Sequence, residues 1–349
     1  MSSGAGNAVP GVATLLVGSI PLADSAAVFQ AAAQTLGRSV RRLPDGETGR
    51  RSNWIAWQRA VFGAVTALVE SGSRERDYQL FPPFTLRPAA AATDVRLGPL
   101  GFAFEAIESW KIFQDLKARG QIAPDTRMQV ALPTAWAPVY SFISYRWQRE
   151  IHPIYEAVLL EELAAICHAI PPESLCIQWD VATEMSWWER VYPAPFDDIE
   201  PGVLESVARL LNAVPAGVEL GLHLCYGSMN NRHWKEPLDT ANLVAVANGL
   251  LARTHRPLDF LHLPVPENRT DSQYFAPLER LRLAPGSELF LGLLHLDDGV
   301  AGALERIRAA RPFAPSFGIA CECGLGRRPA ESIRSWLQLH ADVAGRLAG

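Results

Sequence analysis

The chain has 349 residues, 48% hydrophobic and 20% charged, an ordinary globular composition long enough for one large domain or two small ones. Lys and Arg number 32 against 37 Asp and Glu, a net charge of −5 that leaves no basic footprint for nucleic acid or an anionic membrane. No apolar run reaches the ~18 residues of a membrane span, Met1 to Pro10 lacks the charged-then-apolar order of a signal peptide, and five Cys is an odd count for a secreted disulfide framework. The expectation is a cytoplasmic protein.

Ala13 to Gly18 reads as a buried strand followed by the turn Ser19-Ile20-Pro21, and Asp24 or Ser25 is placed to cap a helix through Leu36. Ser39 to Leu43 is a second strand running into the charged loop Pro44 to Arg50, and Asn53 to Glu70 reads as an amphipathic helix. The connection from about Ser71 to Thr126 holds a helix near Phe104 to Ala118 and is too long for a plain loop, so it is read as an insertion able to fold over a site. Met128 to Leu132 is the third strand, Pro153 to Ala169 a helix, and Leu175 to Trp179 the fourth strand, with Asp180 at its end. Helices at 203–214, 238–252, 274–281, 300–310 and 329–347 then alternate with strands at 219–225, 259–263, 288–295 and 317–321. Eight strands, each followed by a helix, predict one (β/α)8 TIM-type barrel domain over 1–349, with the insertion between strands 2 and 3. A doubly wound open sheet is the alternative, but no glycine-rich dinucleotide fingerprint follows the first strand.

Polar residues collect at one end of this pattern. Ser19, Glu47, Asp180, Cys225, His295 and Cys323 all fall at or just past the C-terminal ends of strands, the face on which barrel active sites are built. His223 and Cys225, two apart on the apolar strand Gly221 to Gly227, point the same way, and the strand Phe317 to Gly324 ends in another thiol. One imidazole and two thiolates would leave one position of a tetrahedral zinc for a substrate or a fourth ligand, the arrangement of a catalytic site rather than a closed structural one. Plainer readings stand beside these. A buried His and inert thiols are ordinary core, Asp180 is placed to cap a turn, and Glu47 and Ser19 both lie in turn-forming stretches. His295 has Asp297 and Asp298 beside it, Arg327 and Arg328 bind an anion or cap the rim, and Trp187-Trp188 reads as packing.

Leu16-Val17-Gly18-Ser19-Ile20-Pro21, Asp45-Gly46-Glu47, Ile177-Gln178-Trp179-Asp180, His223-Leu224-Cys225-Tyr226 and Cys323-Gly324-Leu325-Gly326-Arg327, in this order, resemble the C-terminal catalytic barrel of cobalamin-independent methionine synthase and its relatives. The resemblance runs from about Ala13 to Leu347, and the N-terminal barrel of the full-length synthase has no counterpart, as expected of a single-barrel relative. It implies a zinc ion held by His223, Cys225 and Cys323. It implies that Ser19, Glu47 and Asp180 grip an amino-acid thiol such as homocysteine, and that His295 matches a proton donor. Three departures accompany it. The family's glutamate ligand on the next strand falls at Pro264 in the simplest register, leaving Glu267, three residues on, or Cys321 as the substitute. Asp-Glu-Pro becomes Asp180-Val181-Ala182, and the tryptophan that stacks on the folate has only Trp136 nearby, out of register.

The expected reaction is zinc-dependent methyl or other alkyl transfer to a small-molecule thiol. A free thiol titrates near ~8.5 and a coordinated one is deprotonated outright. A methylated folate as donor would need its leaving amine protonated, a relay open to His295 or Asp180. The alternatives are a divergent lyase, demethylase or decarboxylase, and a non-catalytic zinc- or ligand-binding barrel.

Overall fold

A computed structural model of the protein describes residues 12–75, 79, 81–227 and 232–348; the stretch Met1 to Pro10, read above for a signal segment, lies outside them. The strands in chain order are β1 (Thr14–Leu15), β2 (Arg42–Pro44), β3 (Leu68–Glu70), β4 (Phe84–Leu86), β5 (Arg127–Pro133), β6 (Leu175–Val181), β7 (Glu219–Leu224), β8 (Phe260–Pro264), β9 (Glu288–Leu294) and β10 (Gly318–Cys321). All but β3 and β4 form one parallel sheet in the order β1-β10-β9-β8-β7-β6-β5-β2. A lone parallel bridge between Thr14 and Val40 joins its two ends, so the sheet closes into the expected eight-stranded barrel with helices outside. β1 contributes only two residues to the ladder. The next carbonyls, Leu16 and Val17, accept from the side chain of Gln129 at 3.0 and 3.1 Å, and Val17 also from Gln178 at 2.6 Å, so glutamines inside the barrel replace the missing ladder bonds.

Phe260 and Phe290 fill the barrel interior with Leu15, Val17, Cys176 and Ala320. Gly221 makes this fit possible, since a Cβ there would lie 2.0 Å from the Phe260 ring, and Gly318 does the same for Phe290. Below them, Arg42 donates to Glu219 at 2.6 Å and to Glu288 at 2.8 Å and lies over the Phe260 ring. These ion pairs close the N-terminal mouth and leave the C-terminal mouth for chemistry.

The insertion between β2 and β5 differs from its expectation in an instructive way. The helix expected over Asn53 to Glu70 is reduced to Gln58–Gly63, because Trp54 adopts φ 49°, outside helical space, and Leu68–Glu70 pairs antiparallel with Phe84–Leu86. Helix Phe102–Ala118 takes the vacant place in the outer ring, packed between helices Ser25–Leu36 and Gln148–Ala169. Its start is anchored by the carboxylate of Glu162, which accepts from the backbone of Leu100, Gly101 and Ala103 at 2.8, 3.1 and 2.5 Å. Helix Gln148–Ala169 begins upstream of its expected start, with Pro153 in its second turn. Two short helices not expected from the sequence, Trp136–Phe142 and Thr183–Trp188, follow β5 and β6 and stand over the mouth.

Candidate functional site

His223 is the fifth residue of β7, Cys225 follows that strand directly, and Cys323 lies two residues past β10, so two non-adjacent strands bring the three together. One ligand atom from each lies within 4.8 Å of the others. Cys225 Sγ is 3.5 Å from Cys323 Sγ, and Cys323 Sγ is 3.7 Å from His223 Nε2. Tetrahedral zinc with bonds of about 2.3 Å to sulfur and about 2.1 Å to nitrogen has ligand-to-ligand edges of about 3.5–3.8 Å. The donor atoms and these two edges therefore suit zinc, while the third, between His223 and Cys225, is bounded only by 4.8 Å. As the chain stands, a hydrogen bond to Cys323 and burial push the Cys225 thiol well up. Burial works against a charged His223, but Cys323 and Asp180 outweigh it and raise its pKa.

The triad lies in the wall of a cavity of about 1180 Å³, its open mouth included. The same cavity is lined by Ser19, Glu47 and Asp180, so the structure brings these three sequence candidates to the three residues that could hold a metal. Asp180 pairs in register with His223 across β6 and β7. Burial raises its pKa to about 6, against the lowering effect of His223 and of donors on Gln178 and Trp54. Glu47 is also raised well above the ordinary range, by burial first and then by Asp180. Glu47 and Trp54 both adopt φ 49°, a region that is costly without glycine and tends to be kept at functional sites. The turn that sets Glu47 is held by Asp45, which accepts from the Glu47 amide at 2.9 Å, from Ser109 at 2.8 Å and from Arg51 at 2.9 Å. Ser19 is enclosed by the Cys323-Gly324-Leu325-Gly326 turn: Leu325 N donates to its carbonyl at 2.7 Å, and a Cβ on Gly324 would come within 2.6 Å of its hydroxyl.

His295 and Glu267 do not reach this cavity. They line a second one on the other side of Cys323, and Gly227, Cys323 and Gly324 are shared by the two. His295 Nε2 lies 2.8 Å from the Val265 carbonyl, and its pKa is lowered, mainly by burial. Glu267 is absent from the three-residue ligand set, its carbonyl tied to Arg306 at 2.6 Å. Cys321 is absent from it too. The shared strand face expected for Cys321 and Cys323 fails because the β10 register shifts at Cys321 and the strand ends there; its thiol faces His340 Nε2 at 3.5 Å instead. Trp136 is buried, stacked on His152 with ring centroids 3.8 Å apart, and does not line the cavity. Arg327 lines the first cavity and donates to Asn53, whereas Arg328 lines the second over the ring of Trp336.

Sequence reading missed His262. It is fully buried on β8 in register with His223, and the two Nδ1 atoms lie 2.7 Å apart. Burial and His223 hold its pKa well below the ordinary histidine range. The signal was available: His262 is a polar ring inside the apolar run Phe260 to Pro264. Also missed was the aromatic wall of the first cavity, Tyr140, Phe142, Tyr192 and Trp234.

The raised pKa of Asp180 has a measurable consequence. A carboxylate raised from 3.8 to about 6 binds its proton more tightly folded than unfolded, so it costs stability progressively as pH rises between those values. Asp180→Asn should therefore stabilise the metal-free protein at pH 7 by about 1–2 kcal/mol, discounted for the solvent in the cavity, and flatten the denaturation profile between pH 4 and 6. Denaturant titrations across that range check it; an unchanged slope would show that Asp180 titrates normally.

No protein-family model matches the chain, and no curated protein matches it by sequence. Solved structures do match over nearly its whole length. A putative vitamin-B12-independent methionine synthase from Listeria monocytogenes superposes with a TM-score of 0.56 at 14% identity, covering 97% of this chain and 99% of that one. A B12-independent methionine synthase from Shewanella sp. W3-18-1, solved in complex with selenomethionine, gives 0.61 at 16%, covering 96% and 97%. A methyltransferase from Methanosarcina mazei gives 0.55 at 14%, covering 96% and 94%. The likeness is one of fold.

Proposed function

We propose that the protein transfers a methyl or other alkyl group to a small-molecule thiol, with zinc held by His223, Cys225 and Cys323. The observation that carries this reading is the convergence of those three ligand atoms within 4.8 Å, on a cavity that also presents Ser19, Glu47 and Asp180. The fold likeness to methionine synthases and a methyltransferase supports it. When bound there, zinc supplies the Lewis acidity that keeps an acceptor thiol as thiolate at neutral pH.

The chain's own residues have separate tasks. Glu47 and Asp180 offer two carboxylates to the ammonium end of an acceptor such as homocysteine, with the Ser19 hydroxyl beside them. Asp180, with a pKa near 6, also exchanges a proton easily at neutral pH. His295 donates Nε2–H to the Val265 carbonyl, so Nδ1 is the lone-pair nitrogen open to proton exchange: it takes a proton from solvent in the second cavity and only then hands it to a leaving amine. The donor in this reading is a methylated folate. The setting is the cytoplasm, in keeping with five free cysteines; no described helix is long and apolar enough to cross a membrane.

The test is zinc analysis of the purified protein followed by homocysteine-dependent demethylation of 5-methyltetrahydrofolate. The reading expects about one equivalent of zinc, as in a three-ligand catalytic site, and turnover that a chelator abolishes. Folded protein that takes up no zinc overturns it. Zinc without thiol alkylation shifts the assignment to a divergent lyase, demethylase or decarboxylase.

A further inference from the structure

The barrel interior contains a chain of hydrogen bonds whose direction is set at one end. His262 Nε2 lies 3.0 Å from the carbonyl oxygen of Cys321, and its Nδ1 lies 2.7 Å from Nδ1 of His223. A carbonyl only accepts, so the proton of that bond belongs to His262 Nε2. A neutral His262 then presents a lone pair at Nδ1, and the bond to His223 closes only if His223 carries its proton on Nδ1. In its neutral form His223 then keeps its lone pair on Nε2, the nitrogen that lies 3.7 Å from Cys323 Sγ.

The Cys321 carbonyl reaches this chain through two local features. The register of β10 against β9 shifts between Ile319 and Cys321, which turns the end of β10 out of its regular course. Gly292 on β9 leaves room for the turn, since a Cβ there would lie 3.0 Å from the Cys321 oxygen and 2.6 Å from the Glu322 Cα.

We propose that His262 is a positioning residue: the Cys321 carbonyl, acting through His262, fixes the tautomer and ring orientation of His223 so that Nε2 stands ready to ligate a metal. This rests on the metal reading given above, but its first test does not. Metal-ligating histidines owe their orientation to an acceptor at the other ring nitrogen, usually a carboxylate or carbonyl. Here a second imidazole fills that position and takes its own direction from the backbone two residues before Cys323. The metal's imidazole and its later thiolate ligand are therefore aligned by one strand end.

Long-range proton–nitrogen correlation spectra of ¹⁵N-histidine-labelled, metal-free protein report the tautomers directly, with His223 assigned by loss of its signals in His223→Asn. The expected result is His223 protonated on Nδ1 and His262 on Nε2; His223 protonated on Nε2 in the wild type overturns the proposal. Zn²⁺ competition against a chelating dye then compares two variants. His262→Leu, with no acceptor, should bind Zn²⁺ about 10- to 100-fold more weakly, whereas His262→Asn, whose Oδ1 takes the place of Nδ1, should stay within about threefold of wild type. Equal weakening in both variants would assign His262 a packing role and sink the proposal. If His262→Leu does not fold, wild type against His262→Asn and the tautomer spectra decide. If the wild type takes up no Zn²⁺, the functional reading fails, and the spectra alone settle the role of His262.

Discussion

Cys323→Ser should eliminate the proposed thiol alkylation while leaving the barrel intact. Of the three residues proposed to hold zinc, Cys323 is the one in contact with each of the others, at 3.5 Å from Cys225 and 3.7 Å from His223, and it is shared by both cavities. Serine keeps the volume but offers a hydroxyl that stays protonated at neutral pH. Losing an outer-shell partner already costs 10- to 100-fold in metal affinity, so losing a ligand should cost more than about 100-fold in both zinc affinity and kcat/KM. Circular dichroism and the unfolding midpoint of the metal-free variant should stay close to wild type, because the thiol is partly exposed and the core does not depend on it. Retained activity at wild-type zinc content would remove Cys323 from the site.

The largest stability effect is expected at Arg306. Its side chain is fully buried, and it donates to the carbonyls of Leu293 at 2.8 Å and Glu267 at 2.6 Å and to both carboxylate oxygens of Asp298 at 2.5 and 2.8 Å. Arg306→Met keeps the aliphatic bulk but leaves two carbonyls without this donor and a half-buried carboxylate without its cation. Removing one partner of a buried pair costs about 3–5 kcal/mol, and the partial exposure of Asp298 places the expected loss near the lower end. Urea unfolding measures it; a loss below about 1 kcal/mol would mean that water replaces the guanidinium without difficulty. The substitution also releases the Glu267 loop, so the second cavity should loosen while zinc affinity at the triad holds.

The barrel was legible because its signals are local and repeated. Apolar runs such as Leu175 to Trp179 and Glu288 to His295 are bounded by turns and alternate with helical stretches, and their ends needed little revision, whereas the strands expected at Ala13 to Gly18 and Ser39 to Leu43 contract to Thr14–Leu15 and shift to Arg42–Pro44. The insertion was harder to read because its determinants are not local. Trp54 leaves helical space in company with a wall of the cavity, Leu68–Glu70 becomes a strand only because Phe84–Leu86 lies beside it, and helix Phe102–Ala118 owes its start to Glu162, some sixty residues away. The site divides in the same way. Side-chain alternation placed His223 and Cys225 together, and the order of βα units brought Cys323 to them. Alternation does not carry Cys321 to the triad, because the β10 register shifts there, and His295 and Glu267, read from the family resemblance, line the cavity on the other side of Cys323. His262 acts through a ring nitrogen aimed across two strands, and no spacing rule announces such a contact.

The glutamines that complete β1 tie the hoop of the barrel to its chemistry. Between β1 and β2 the ring is held by one backbone bridge, so this seam opens at the smallest expense of hydrogen bonds, and amide exchange should be fastest there. Gln178 straddles that seam, donating to Val17 at 2.6 Å and to Asp180 at 2.8 Å. Breathing of the seam is thereby transmitted to one carboxylate of the cavity, whereas the sulfur atoms, set on other staves, keep their spacing.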